Sequence, residues 1–431
     1  MERFLVRNFG CRASQADGAA IETALSQQGF APAGGVADAQ LVVLNTCTVT
    51  STADEDVRQT LRRVYRENPG ARILVTGCYA QRAPEEIADM PGVHWVVGNS
   101  HKTRIAEIVG EPGGVPYHGQ IQVDDIFEQR EFLAAPVEDA AGDRTRPNLK
   151  VQDGCNNRCS FCIIPFVRGR SRSMPADRVV EEIRALAGRY REVVLSGINL
   201  GRWGREPGST MRLVDLLRRV LDETAVERIR ISSVEPMDFS DDLLGLMAGS
   251  PRIARHVHAP LQSGSDSVLR RMHRKYRPRH YEDRVRKARA LMPDAAIGAD
   301  VMVGFPGEND AEFEENRRFI AGLPFTYLHV FTFSERPGTP AAERADQVPV
   351  PVRKERNRVL RELAAEKNLE FRRSMVGRTL SVVTLEDGAL SDNFLKVELA
   401  TPREANQLLD VRVGGLTSGG VREESALMVL G

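Results

Sequence analysis

No stretch of this chain approaches the ~18 consecutive apolar residues a membrane-spanning helix needs, so the sequence predicts no membrane partner. The opening MERFLVRNFGC lacks the basic head, long apolar run and small-residue cleavage site of a secretory signal. A reducing cytoplasm is therefore the expected compartment, where thiols stay available to metals instead of pairing as disulfides. Net charge is missing as well: 59 Lys and Arg balance 59 Asp and Glu, and overall charge announces no polyanionic partner. Low-complexity tracts are absent, and no internal repeat stands out beyond an alternation of strand and helix.

What is present is the composition of a globular enzyme. Apolar residues make up 42% and charged residues 27% of 431 positions, enough chain for two or three domains with their own cores. The first hundred residues alternate short β-branched runs (RFLVRNFG, AQLVVLNT, ARILVTG, VHWVVGN) with helical stretches at 15–28 and 54–67, the pattern of a parallel sheet covered by helices. From 111 to about 148 periodicity gives way to Pro, Gly and acids, an expected connector or lid. Six further strand candidates, NLKVQDG, EVVLSGINL, RIRISSVEP, HVHAPLQSG, IGADVMVGFPG and YLHVFTFSERPG, follow with helical spacers, predicting a complete or partial βα barrel. After a charged helix the chain turns to short strands with Gly and Asp turns, the style of a small all-β barrel. The expected organisation is an α/β protein with units at 1–135, 136–370 and 371–431.

The six cysteines fall into two sets of three. Cys11, Cys47 and Cys78 each follow a predicted strand at intervals of 36 and 31 residues, about one βα unit apiece. Neighbouring parallel strands end on one sheet edge, so three thiols remote in sequence are expected to converge there. Cys155, Cys159 and Cys162 are local, in C-x3-C-x2-C after the strand NLKVQDG. Structural zinc takes four Cys or His ligands, yet the loop CNNRCSFC offers no fourth thiol and no histidine. Three thiolates with an open position suit catalytic zinc or an iron-sulfur cluster with one iron free of protein ligands. Finding the arrangement twice favours iron-sulfur chemistry.

The loop resembles the signature of radical S-adenosylmethionine enzymes. The ordered motifs NTCTVT, TGCYAQ, VQDGCNNRCSFCIIP, VVLSGINLG, ISSVEP, PLQSGSDSVLRRMHRKY, DVMVGFPGE and FSERPGTPA make the whole chain similar to radical methylthiotransferases. The resemblance implies a central partial (βα)6 radical barrel, with the three-cysteine sheet domain before it and a TRAM-like barrel, a type associated with RNA binding, after it. It implies two 4Fe-4S clusters. Cys155, Cys159 and Cys162 would hold the first, whose open iron chelates S-adenosylmethionine for reductive cleavage to a 5′-deoxyadenosyl radical. Cys11, Cys47 and Cys78 would hold the second, which carries the sulfur to be inserted.

Further positions gain a cofactor-side reading within that order: Phe161 against the adenine, and Gly197, Ser233, Glu235, Gln262 and Asp300 at strand ends. Taken alone, the aromatic reads as simple packing and the Ser and Gly positions as turns and helix caps. The Gly-Phe-Pro-Gly turn after Val303 lacks a GxGxxG pattern or a phosphate-loop lysine, so no dinucleotide or nucleoside triphosphate site is read there. Residues 270–289 carry ten Arg and Lys against two acids, readable as a phosphate-contacting patch or as a solvated helix face. NTCTVT followed by STADEDVRQTLRR resembles the branch acting on N6-threonylcarbamoyladenosine in tRNA. Sister branches modify N6-isopentenyladenosine or a ribosomal-protein aspartate. The implied partners are the tRNA anticodon loop, an electron donor such as flavodoxin or ferredoxin, and a sulfur donor, acting on a monomer. The contrasting class is a non-catalytic, metal-containing RNA-binding protein with the tail as its working part.

Overall fold

The computed structural model describes residues 1–110, 119–129, 132 and 145–425. Most of the connector read at 111–148 lies outside these residues, but Gln120–Gln122 forms a strand that the sequence reading does not anticipate. It is an edge strand of three residues, too short to show a periodicity.

Six parallel strands in the order Ala31–Pro32, Arg3–Asn8, Leu41–Thr46, Arg72–Gly77, Val93–Val97, Gln120–Gln122 make the first sheet. All six residues of Leu41–Thr46 are buried, which is why its apolar run is continuous rather than alternating. The helix Ser51–Glu67 covers one face with Val57, Leu61 and Val64, spaced one helical turn apart. Thr50 caps it by accepting from the Ala53 amide at 3.2 Å, a contact worth about 1 kcal/mol.

The six expected barrel strands are present and parallel where they pair. Asn148–Asp153, Glu192–Gly197 and Arg228–Ile231 form one sheet, with Arg172–Ser173 antiparallel at its edge. His256–His258, Ala296–Val303 and Tyr327–Thr332 form a second. An isolated parallel bridge, Ile229 to Ile253, joins the halves. The barrel is thus open along one side, among the described residues, and the helix Arg12–Gln27 of the first unit lies against Asn148–Asp153 and Glu192–Gly197. One continuous core, from Leu149 to Leu360, fills the helix-covered outside of these sheets.

The 25-residue helix Val350–Ser374 then leads to a closed five-stranded barrel, ordered Thr379–Leu385, Gly388–Ser391, Lys396–Glu398, Val421–Glu423, Leu408–Leu416. Its core of Val382, Val397, Val411, Val413 and Val421 is β-branched, as half-buried pleated surfaces favour. Buried arginines fasten it to the central unit: Arg230 donates to the carbonyls of Ser391 and Asp392 at 2.9 and 3.1 Å while holding Glu192.

Candidate functional site

Cys11, Cys47 and Cys78 stand directly after the strands Arg3–Asn8, Leu41–Thr46 and Arg72–Gly77, at one edge of the first sheet. The backbone before two of them permits the approach. Gly10 (φ +95°) packs so close that a Cβ there would lie 2.6 Å from the Cys47 Cβ, and Gly77 (φ +99°) would bring one to 2.4 Å from the Thr46 carbonyl. Both demand glycine for conformation and for space. Cys47 and Cys78 are buried and Cys11 is exposed. Burial, then the neighbouring Cys78 and Cys11, pushes the Cys47 thiol up to about 12. Such a thiol is not a free nucleophile, and it becomes a thiolate when a metal takes its proton's place.

The second trio sits in the loop after Asn148–Asp153. The Cys155 amide donates to the Gly169 carbonyl at 3.0 Å, and the Cys162 amide donates to the Cys159 carbonyl at 3.1 Å. The loop's middle is pinned twice: Ser160 donates through its amide and its hydroxyl to the Met272 and Arg271 carbonyls, at 3.1 and 2.7 Å. Burial and the adjacent Cys159 push the Cys162 thiol up to about 12, and burial also raises Cys155. Arg274, nearly buried, donates to the Cys159 sulfur at 3.2 Å and pairs with Glu235. A guanidinium there offsets charge that accumulates on three thiolates.

The two trios are neighbours. Cys78 packs against Ile163 and Val167, in the turn of chain that leaves Cys162. Asn99 spans the junction, its side-chain amide 2.6 Å from the Val167 carbonyl and 3.7 Å from the Cys78 sulfur. The FSERPGTPA segment ties both together. Arg336 donates to the Thr48 carbonyl and to Asp54, next to Cys47, while the Ala341 amide donates to the Ser160 carbonyl inside the other loop.

The remaining candidates have varied surroundings. Phe161 packs edge-on against Phe305 with centroids 6.5 Å apart, the plain packing role open to it in sequence. Gly197 lets Gln152 approach, since a Cβ there would sit 2.9 Å from the Gln152 Cβ. Gln152 in turn accepts from the Asn199 amide at 2.6 Å and donates to the Asp153 and Gly154 carbonyls, setting the entry to the thiol loop. Gln262 adopts φ +65°, a left-handed backbone that a non-glycine side chain holds only under constraint; its amide donates to the Asp300 carbonyl at 2.8 Å. Ser233 lies 2.7 Å from Nδ1 of His258, and Asp300 lies between His258 and His329. Buried side-chain oxygens of Ser196, Asn199 and Ser232, at or just past the ends of two neighbouring strands, have no hydrogen-bond partner, and the Asn199 side-chain amide also donates to the Cys155 sulfur at 3.5 Å. Orphaned polar atoms beside three soft donors fit a polar group bound on a metal cluster.

The basic segment 270–289 is largely consumed internally. Seven of its ten cations, Arg270, Arg271, Arg274, Arg277, Arg284, Arg286 and Lys287, are paired with carboxylates of this chain. Its phosphate-patch reading loses ground accordingly, and Arg274 serves the thiol loop instead.

Sequence reasoning did not single out the buried charges between the trios. Arg168 donates to Asp17, Asp153 and Ser14, at 3.0, 3.0 and 3.1 Å. Lys102 donates to Asp17 at 3.0 Å, and Lys150 bridges Asp17 and Asp153. Burial alone would raise the Asp17 carboxyl, but Lys102, Lys150 and Arg168 outweigh it and hold it well below the ordinary range. Lone buried charges give no periodic signal, which is why they escape a reading by pattern.

The Radical SAM superfamily model matches residues 149–320, and the Uncharacterized protein family UPF0004 matches residues 3–98. The chain is 35% identical over 410 residues to "Threonylcarbamoyladenosine tRNA methylthiotransferase MtaB" of Aquifex aeolicus (strain VF5), covering 94% of this chain and 98% of that one. It is 38% identical over 405 residues to the protein of the same name in Bacillus subtilis (strain 168), covering 90% and 88%. It is 36% identical over 385 residues to "tRNA-2-methylthio-N(6)-dimethylallyladenosine synthase" of Salinispora arenicola (strain CNS-205), covering 88% and 76%. Among solved structures, the radical S-adenosylmethionine methyltransferase TsrM from Kitasatospora setae superposes with a TM-score of 0.57 at 16% identity, over 79% of this chain and 77% of that one, a likeness of fold alone.

Proposed function

Because the chain belongs to the radical S-adenosylmethionine methylthiotransferases, we propose that it adds a 2-methylthio group to N6-threonylcarbamoyladenosine at position 37, beside the anticodon of tRNA. One observation carries the reading: two trios of thiols at strand ends, meeting across the short helix Ile164–Arg168. Relatives named for threonylcarbamoyladenosine, at 35% and 38% identity over 94% and 90% of the chain, support the nucleoside.

The family's cofactors are S-adenosylmethionine and 4Fe-4S clusters. In our reading Cys155, Cys159 and Cys162 hold one cluster, Cys11, Cys47 and Cys78 the other, each with an open iron. When bound, these groups supply one-electron cleavage of a sulfonium, hydrogen-atom abstraction from carbon, and the sulfur to be inserted. The chain's part is to place and insulate them. Arg274 offsets thiolate charge at Cys159 while ordering Glu235 for a cofactor contact. Ser196, Asn199 and Ser232 offer unpaired oxygens to the cofactor's polar groups. Gly197 acts through Gln152, and Gln262 is held by the bond from its amide to the Asp300 carbonyl. Phe161 is kept as a packing residue at the cofactor's rim. The charges around Arg168 fix the separation of the two trios.

We assign the sheet unit with its connector to 1–135, the radical core to 136–370 and the RNA-contacting β unit to 371–431. An electron donor of the flavodoxin or ferredoxin class and a sulfur donor complete the turnover of a cytoplasmic monomer. No helix among the described residues is long and apolar enough to cross a membrane. The deciding experiment is nucleoside mass spectrometry of tRNA from a strain lacking the gene and from one with it restored. Reversible loss of 2-methylthio-N6-threonylcarbamoyladenosine is the expected result. Loss of the 2-methylthio group from N6-dimethylallyladenosine instead would transfer the assignment to the sister branch.

A further inference from the structure

Inside the open barrel, three strands bring a donor set without thiols together. His258 ends the strand His256–His258, Asp300 lies in Ala296–Val303 and His329 in Tyr327–Thr332. Asp300 and His329 are register partners, and His258 pairs with Gly298, two residues before Asp300, so the three side chains share one face of the sheet. One ligand atom from each lies within 4.8 Å of the others.

The spacing is that of ligands around a cation. His258 Nε2 is 3.3 Å and His329 Nδ1 is 3.1 Å from the same Asp300 oxygen, Oδ1. Two donors each about 2.1 Å from a metal stand roughly 3.0 Å apart at a right angle and roughly 3.4 Å apart at the tetrahedral angle. A hydrogen bond joins His329 Nδ1 to Asp300 Oδ1 at 3.1 Å, but a hydrogen-bonded chain does not account for the whole set. Ser233 takes Nδ1 of His258 at 2.7 Å, and the opposite nitrogen, Nε2, is buried without a hydrogen-bond partner despite its nearness to the carboxylate. A hydroxyl on the far ring nitrogen is the outer support that metal-bound imidazoles commonly have.

The rings are held in place by their neighbours. His258 stacks on Tyr327 with centroids 5.8 Å apart, and His329 meets the same ring at 5.3 Å. Access is one-sided: the side chain of His258 is 13% exposed and that of Asp300 24%, whereas His329 is 52% exposed. We propose that His258, Asp300 and His329 bind one divalent transition-metal ion by two imidazoles and one carboxylate, with its open positions toward the solvent-reached side. Zinc, iron(II) and manganese(II) accept this donor set, whereas the thiol trios prefer softer metals.

The test uses the full chain with both clusters reconstituted, titrated with Mn²⁺ while the signal of free Mn²⁺ is followed by electron paramagnetic resonance at room temperature. Manganese is chosen because thiolates compete for it poorly. The expected result is about one site per chain, displaced by Zn²⁺, with affinity lowered tenfold or more in His329→Ala and in Asp300→Asn while cluster iron is unchanged. His329→Ala alters an exposed side chain, so its folding serves as the control for Asp300→Asn. Absence of saturable binding in the unmodified protein, or binding by both variants as tight as the parent's, would overturn the proposal. Neither outcome depends on methylthiotransferase activity, so the functional assignment stands or falls separately.

Discussion

Arg168 donates to the carboxylate of Asp17 at 3.0 Å across 151 residues of sequence, and both side chains are buried. Arg168 closes the short helix that follows Cys162, while Asp17 lies in the helix that begins directly after Cys11. The pair therefore joins the segment leaving one thiol trio to the segment leaving the other. Around it are Asp153, Lys150 and Lys102, so cations outnumber anions in the buried group. An excess of buried positive charge between two thiolate sites is costly alone and is offset when those sites carry negative charge.

The first expectation concerns the loop of Cys155. Cys155→Ala removes one of three local thiols, and its protein should release no 5′-deoxyadenosine from S-adenosylmethionine under reducing conditions. Iron should fall from about eight to about four per chain. Liquid chromatography of the nucleoside together with iron analysis reads both. Undiminished cleavage by this variant would remove the loop from the radical role.

The Cys47→Ala variant separates the second trio. Cys47 is buried beside Cys78 at the edge of the first sheet and is not part of the loop that Arg274 serves. The variant should still cleave S-adenosylmethionine, within about threefold of the parent, yet leave tRNA without a methylthio group. Mass spectrometry of the same reaction mixture measures the two products together. Normal methylthio product would end the sulfur-carrier reading.

Acid should loosen the junction of the two trios. The folded Asp17 carboxyl lies below its ordinary value of 3.8, because its three cations outweigh burial. Its contribution is therefore complete above that value, where the unfolded chain is also ionised, and it drains away as pH falls further toward the folded value. Asp17→Asn removes this dependence and leaves the cations around it underpaired, a loss of about 3–5 kcal/mol near neutral pH. Thermal unfolding of the cluster-free chain across pH should show the gap between parent and variant narrowing below about pH 4. A gap that widens in acid would contradict the linkage.

Much of this architecture was legible in advance, for identifiable reasons. Every expected barrel strand is present, whether its apolar residues run on, as in Glu192–Gly197, or alternate with polar ones, as in Arg228–Ile231. The convergence of Cys11, Cys47 and Cys78 followed from parallel order alone. What stayed hidden depends on contacts between distant segments. His329 and Asp300 become a pair only through strand register, although the alternation in HVH could have flagged two histidines on one face. Arg274 lies in a run of cations whose density suggested phosphate, and only the fold shows it turned toward Cys159. The FSERPGTPA motif was recognisable as a string, but its role in holding Thr48 and Ser160 together is a property of the assembled chain.

The last expectation tests how the C-terminal barrel is held. Glu192 is fully buried; burial would raise its carboxyl, but Arg230, with Arg146 and Arg228, holds it down at about 2. Arg230 spends its other donors on the carbonyls of Ser391 and Asp392, and Arg228 donates to the Ser381 hydroxyl at 2.6 Å. Glu192→Gln leaves two buried guanidiniums short of an anion, at a cost of about 3–5 kcal/mol, and the strain falls on the contacts that dock the barrel. The variant should be cut by limited proteolysis between Ser374 and Thr379 faster than the parent, at a temperature where the central unit stays folded. Because the thiol loop is elsewhere, cleavage of S-adenosylmethionine should persist while tRNA affinity drops. Unchanged proteolysis with unchanged tRNA binding would show that the buried arginines anchor the barrel without Glu192.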